Sequence, residues 1–118
     1  MSRGNEDAPN KHQLSVDLVL EILSQYQRRE ILRFCRDAPT NTFPMHQVIT
    51  HLRDIEAELN DEEPGTDHLQ SVLMHVHGPK LDTVGLVEYD IGEQYIEYFP
   101  NEQIETALEH IDRMEDDW

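Results

Sequence analysis

The chain is short of cysteine, lysine, aromatic residues and long apolar runs, and each shortage closes a possibility. Cys35 is the only cysteine in 118 residues, which leaves no internal disulfide framework and no cysteine-rich zinc module. No stretch approaches the roughly 18 consecutive apolar residues of a membrane-spanning helix. The N-terminal MSRGNEDAPNKHQ has no apolar core, so no secretory signal is expected and the expected location is cytoplasmic. Gly-rich phosphate loops and Ser-His-Asp cues are missing as well. The carboxylates are too many for any pair to stand out. Neither an enzyme nor a cofactor is expected.

Carboxylates are what the chain has in excess. There are 25 Asp and Glu against nine Lys and Arg, a formal charge of −16, with hydrophobic residues at 37%. Low hydrophobicity with high net charge is the usual mark of disorder. Here the apolar residues recur at regular spacing, which points to a folded domain with one modest core. The acids run through predicted helices and strands, which argues against an acidic tail or a nucleic-acid mimic. A surface that repels wrong partners and a salt-saturated cytoplasm remain, and cation usage favours the second. Only Lys11 and Lys80 stand beside seven arginines. Short, hydrated carboxylates in place of long lysine stems expose less apolar surface where salt strengthens hydrophobic association. In molar salt the Debye length falls to about 3 Å, so the carboxylates cease to repel one another strongly. A halophilic source is expected.

Residues 1–13 read as a disordered polar arm and 14–118 as one domain. Ser15 can cap a short helix with Val16, Val19, Leu20 and Leu23 as its apolar stripe. Ser24 with Gln27 resembles a capping box for a second helix whose buried side is Ile31, Leu32, Phe34 and Cys35. A short edge strand is expected around Phe43. Pro44 suits the first turn of a third helix with Val48, Ile49, Leu52, Ile55 and Leu59 at core spacing. After the loop 60–66, Thr66 or Asp67 should cap a fourth helix over about 67–84, with Leu69, Val72, Leu73 and Val76 inside. Gly78 and Pro79 should disturb it, because Pro79 lacks an N–H, and Gly85 should end it. Two alternating strands then flank the turn IGEQ, a hairpin over 86–99. Asn101 caps a last helix over 101–115, with Ile104, Ala107, Leu108, Ile111 and Met114 on one side.

Three helices followed by a hairpin is the order of a winged helix-turn-helix. The expected fold is therefore mainly α with a small β-hairpin, a winged helix-turn-helix carrying additional N- and C-terminal helices. The segment LMHVHGPKLDTVGLVEYD (73–90), with SQYQRREILRFCRD (24–37), resembles a haloarchaeal winged-helix family of unassigned molecular function. Its members carry a His-Val-His-x-Pro-Lys-Leu…Gly-Val/Leu-Val-x-Tyr-Asp signature after an Arg-rich helix. The matching positions are His75, Val76, His77, Pro79, Lys80, Leu81, Gly85, Leu86, Val87, Tyr89 and Asp90, and the resemblance covers roughly residues 15–99. Members usually have a larger apolar residue where this chain has Gly78. The resemblance implies the winged-helix fold, a halophilic archaeal source and a role in transcription regulation. It carries over no catalytic residue.

On that expectation the fourth helix enters the major groove of double-stranded DNA, which at about 12 Å wide accepts one helix. Its free side offers Gln70, Ser71, Met74, His75 and His77, followed by Lys80. Gln pairs with adenine and Met meets a thymine methyl, but the helix has no arginine to read guanine. Arg28, Arg29, Arg33 and Arg36 gather on the second helix and can hold phosphates. Pairing with Glu30, Asp37 or the acid-rich third helix is their favoured alternative. The candidate DNA contacts are Gln70, Ser71, Met74, His75, His77, Lys80, Arg28 and Arg29. The turn IGEQ carries Glu93 and no cation, which counts against a wing contact. For His75 and His77 the alternative to DNA contact is that one packs and one is solvated. At i, i+2 they diverge around a helix, so a zinc site would need a further partner such as His68, and no metal site is assigned. The terminal helices carry more apolar surface than a three-helix core needs, and a homodimer through them is expected. A winged-helix protein-interaction module that binds no DNA is the rival reading. Acids crowd residues 54–67 and 82–117, yet none lies between His68 and Lys80.

Overall fold

The computed structural model describes residues 13–60 and 65–116. The arm expected over 1–13 lies outside the described residues apart from Gln13, as does most of the loop 60–66. Helix α1 (Val16–Leu23) starts where Ser15 Oγ accepts the Leu18 N–H at 3.1 Å. It buries Val19, Ile22 and Leu23 but leaves Val16 (71%) and Leu20 (62%) exposed, so half the expected stripe faces out. Helix α2 (Tyr26–Asp37) follows after two residues. The Ser24–Gln27 capping box does not form. The short link makes Ser24 the C-cap of α1, its hydroxyl donating to the Glu21 carbonyl at 2.7 Å, and Gln25 opens α2 without a side-chain cap. Ile31, Leu32 and Cys35 are buried, and Phe34 packs edge-on against Phe43 at 5.1 Å between ring centroids.

Strand β1 (Thr42–Pro44) precedes helix α3 (Met45–Asn60). Pro44 ends the strand instead of entering the helix. Its missing N–H is harmless there because β1 is an edge. Val48, Ile49 and Leu52 enter the core, while Leu59 is exposed at the far end.

The fourth helix is three pieces in one run: α4 (Thr66–Val72), a π-helical segment (Leu73–His77) and α5 (Gly78–Thr83). Gly65 is its N-cap, one residue before the Thr66 expected. It ends in a Schellman motif. Gly85 has φ 84°, its N–H donates to Asp82, and Leu86 N–H donates to Leu81 at 3.0 Å. A Cβ at residue 85 would strain in that region.

Strands β2 (Val87–Asp90) and β3 (Tyr95–Tyr98) form the hairpin. The antiparallel sheet runs β1–β3–β2, with Phe43 opposite Ile96 and Tyr89 opposite Ile96 on the other side. Val87, Ile96 and Tyr98 face the core, whereas Glu88, Asp90, Tyr95 and Glu97 face out. That is the alternation the sequence predicts. The loop closes on Asp90, whose carbonyl accepts Gln94 N–H and whose Oδ1 accepts Glu93 N–H.

Helix α6 (Glu102–Asp116) starts at Asn101, whose Oδ1 accepts the Ile104 N–H at 3.0 Å. It returns to α1. Gln103 bonds both the N–H and the carbonyl of Leu14 at 2.7 Å, and Ile104 and Leu108 are fully buried. The terminal helices thus pack against each other within one chain, using Val19, Leu23, Ile104 and Leu108 internally. The fold is mainly α, of winged-helix type, with a three-stranded sheet and a helix added at each end. Among the described residues no helix is long and apolar enough to cross a membrane.

Candidate nucleic-acid interface

Pro79 explains the break in the fourth helix. In an α-helix residue 79 would donate to residue 75, and proline has no proton to give. The chain inserts one extra residue instead, so that Gly78 N–H donates five residues back to the Leu73 carbonyl. An extra residue in a turn advances the helix face by about 100°. The inner stripe therefore runs Leu69, Leu73, His77, Gly78, Leu81, and not through Val76, which is 51% exposed. Gly78 is needed at this spot: a Cβ there would lie 2.6 Å from the Leu73 carbonyl oxygen and 3.5 Å from the Tyr89 ring.

The same rotation corrects the placement of His77. It is 4% exposed and faces α2, with Nδ1 3.4 Å from Arg28 Nη1 and Nε2 3.0 Å from Gln27 Oε1. Guanidinium can only donate, so Nδ1 accepts and Nε2 carries the proton toward Gln27. Burial, reinforced by Arg28, pushes the His77 pKa down to about 4. It is an interior group and leaves the set of DNA contacts.

Arg28 leaves it too. At 8% exposure its Nε donates to the Ile22 carbonyl and its Nη2 to the Glu21 carbonyl, both at 2.8 Å. The Glu21 carbonyl also accepts the Ser24 N–H and hydroxyl, and a planar guanidinium reaches it and the Ile22 carbonyl at once. Arg29 Nη1 donates to the next one, Leu23, at 2.7 Å, and this half-buried residue turns toward α1. Lys80 Nζ pairs with Glu21 Oε2 at 2.6 Å, and that bond holds the Glu21 carboxyl below its usual range. So three of the expected DNA contacts, Arg28, Arg29 and Lys80, serve the last turn of α1.

The remaining arginines of α2 are paired as well, with Glu30 and Asp37 as expected and with α6 in place of α3. Arg33 contacts Glu30, Asp112 and Glu115 at 2.6 to 2.9 Å, and Arg36 contacts Asp37 and Asp112. His51 of α3 reaches Glu30 at 3.3 Å. Cys35 is buried and its thiol pKa is pushed up to about 12, so it behaves as a small hydrophobe.

What stays on the outer side of the fourth helix is Ser71 and His75, exposed, with Gln70 and Met74 half-buried beside them. Gln70 Nε2 leans on Met74 Sδ at 3.6 Å, which fixes both side chains along the helix. Lys80 lies further along the same helix run. Among the described residues no group of three or more His, Cys, Asp or Glu is arranged to hold a metal ion.

Three residues of the network escaped the sequence reading: Glu21, Gln27 and Tyr89. Gln27 joins His77 of the fourth helix to Glu56 of α3, where it donates at 2.9 Å. The available signal was Pro79 itself. A proline inside a helix leaves a carbonyl seeking another donor, and the Tyr89 hydroxyl reaches the Met74 carbonyl at 3.3 Å.

These features define a winged-helix-type domain whose fourth helix exposes Ser71, His75 and Val76 along a stretch, His68 to Lys80, that holds no acid. The chain belongs to the family described as a domain of unknown function, DUF7344, whose profile matches residues 20–97. That span runs from within α1 through β3 and stops short of α6. Neither the curated proteins nor the solved structures provide a match.

Proposed function

We propose that the chain is a DNA-binding transcription regulator of a halophilic archaeon, acting as a dimer with its fourth helix in the major groove. One observation carries the reading. In a chain of charge −16, the stretch from His68 to Lys80 holds no acid, and its outer side exposes Ser71 and His75 beside Val76. Ser71, His75, Gln70 and Met74 are the base-edge contacts on this reading. Lys80 is the phosphate contact, since its exposed pair with Glu21 is of the kind that exchanges readily. The surface left for a second copy is the outer side of α1 and α6, where Val16, Leu20 and Met114 are exposed. The chain works in the cytoplasm.

Binding of sheared genomic DNA in molar KCl, with sequencing of what is retained, tests it. The expected outcome is a recurrent motif that disappears with His75→Glu in a protein that still folds. No sequence-selective enrichment would overturn it.

A second reading draws on the cations. Arg28, Arg29 and Lys80 all have partners inside the chain, and the wing tip presents Glu93. On this reading the domain recruits another protein and leaves DNA alone, and the fragment experiment returns nothing.

A further inference from the structure

We infer that the Tyr89 hydroxyl stands in for the backbone donor that Pro79 lacks, and so holds the fourth helix in its present phase. Within the π-helical segment the last five-residue bond runs from Gly78 N–H to the Leu73 carbonyl. The next donor in that register is residue 79, and the next acceptor is the Met74 carbonyl. Residue 79 is proline. The Tyr89 Oη–H reaches this carbonyl from β2 at 3.3 Å. A partly buried carbonyl with no donor is costly, so the hydroxyl offsets the penalty of the π turn.

Gly78 lets the five-residue turn close beside the ring. A Cβ at residue 78 would lie 2.6 Å from the Leu73 carbonyl oxygen, a clash, whereas its 3.5 Å from two carbons of the Tyr89 ring is ordinary contact. Proline, glycine and tyrosine act as one device. It turns His77 inward to Arg28 and Gln27 and sends Val76 outward. Tyr89 is thus a positioning residue for the outer side of the helix, whichever macromolecule that side meets.

A double-mutant cycle on the full chain, read by amide hydrogen exchange, tests this. Tyr89→Phe keeps the ring and removes only the hydroxyl. It is expected to speed exchange of the Gly78 and Lys80 amides roughly fivefold, the effect of one ordinary hydrogen bond. In a Pro79→Ala background the backbone N–H restored at that position can take over the carbonyl, and the same change should have an effect under about twofold. Equal acceleration in both backgrounds would mean that the hydroxyl acts independently of the missing N–H at residue 79, and it overturns the inference. A second measurement needs no Pro79 variant. Tyr89→Phe should raise carbethoxylation of His77 several-fold while leaving His75 unchanged; an unaltered His77 rate also overturns it.

Discussion

His77 is a base kept neutral by its surroundings, and this has a consequence for stability. In the unfolded chain its imidazole titrates near 6.5, and in the fold near 4. Between these values the unfolded state binds a proton that the folded state refuses. Stability from this group is therefore fully present above about pH 6.5 and is lost as pH falls toward about 4. At about pH 5 the loss is on the order of 2 kcal/mol. The lowered carboxyls Glu21, Glu30 and Asp37 start to lose their contributions only as pH falls into the ordinary carboxylate range, so the interval from pH 6.5 to 5 reports mainly on the histidine. Urea midpoints for the parent chain should fall across that interval, and those for His77→Gln should stay nearly flat. Parallel slopes would assign the pH dependence elsewhere. The sequence left His77 open between DNA contact and packing, because helical period alone does not set the phase across Pro79. Pro79 was legible as a disturbance, but the direction in which the chain absorbs it depends on Tyr89, across the hairpin entry, and on Arg28, far away in sequence.

Between elements, the junction of α1, α2 and the fourth helix depends on one guanidinium. An eight-residue helix is too short to persist alone, so α1 needs partners for its last carbonyls. Arg28 bridges Glu21, Ile22 and His77, and substituting Met keeps the stem while taking the donor from the Ile22 carbonyl and from His77 Nδ1; the Glu21 carbonyl keeps Ser24. Arg28→Met should cost about 2–4 kcal/mol in a thermal or urea melt. Arg28→Lys should recover little, since a single ammonium cannot match three acceptors spread around a planar fork. Full recovery with lysine would show that charge alone matters there. Much at this scale was legible: the Ser15 and Asn101 caps, the Gly85 stop, and the inward sets of α2 and β3 all follow from local chemistry. Two features were not. Ser24 serves α1 because the link is short, and the arginines of α2 find α6, a partner some eighty positions away that no periodicity announces.

For the molecule as a whole, the charge is arranged as well as large. Arg33 and Arg36 lie against acids of α6, and Arg28, Arg29 and Lys80 against the end of α1, which leaves the outer face of the sheet with carboxylates and no cation among its cross-strand partners. Glu88 stands directly opposite Glu97 there, with Asp90 on the same strand two residues on. Like charges across a ladder repel, by a few tenths to about 1 kcal/mol. Such a pair persists at little cost only where salt screens it, as it does when the Debye length shrinks from about 10 Å to about 3 Å. The halophilic reading of the composition therefore makes a local claim. Glu97→Gln should stabilise the chain by a few tenths of a kcal/mol or more at ~0.1 M KCl and by almost nothing at ~2 M. Urea titrations at the two salt concentrations decide it. An equal gain in both would mean that glutamine improves packing or strand propensity, and the uncompensated pair would then say nothing about the solvent. A gain confined to low salt would tie one register position of the sheet to the carboxylate excess of the entire chain.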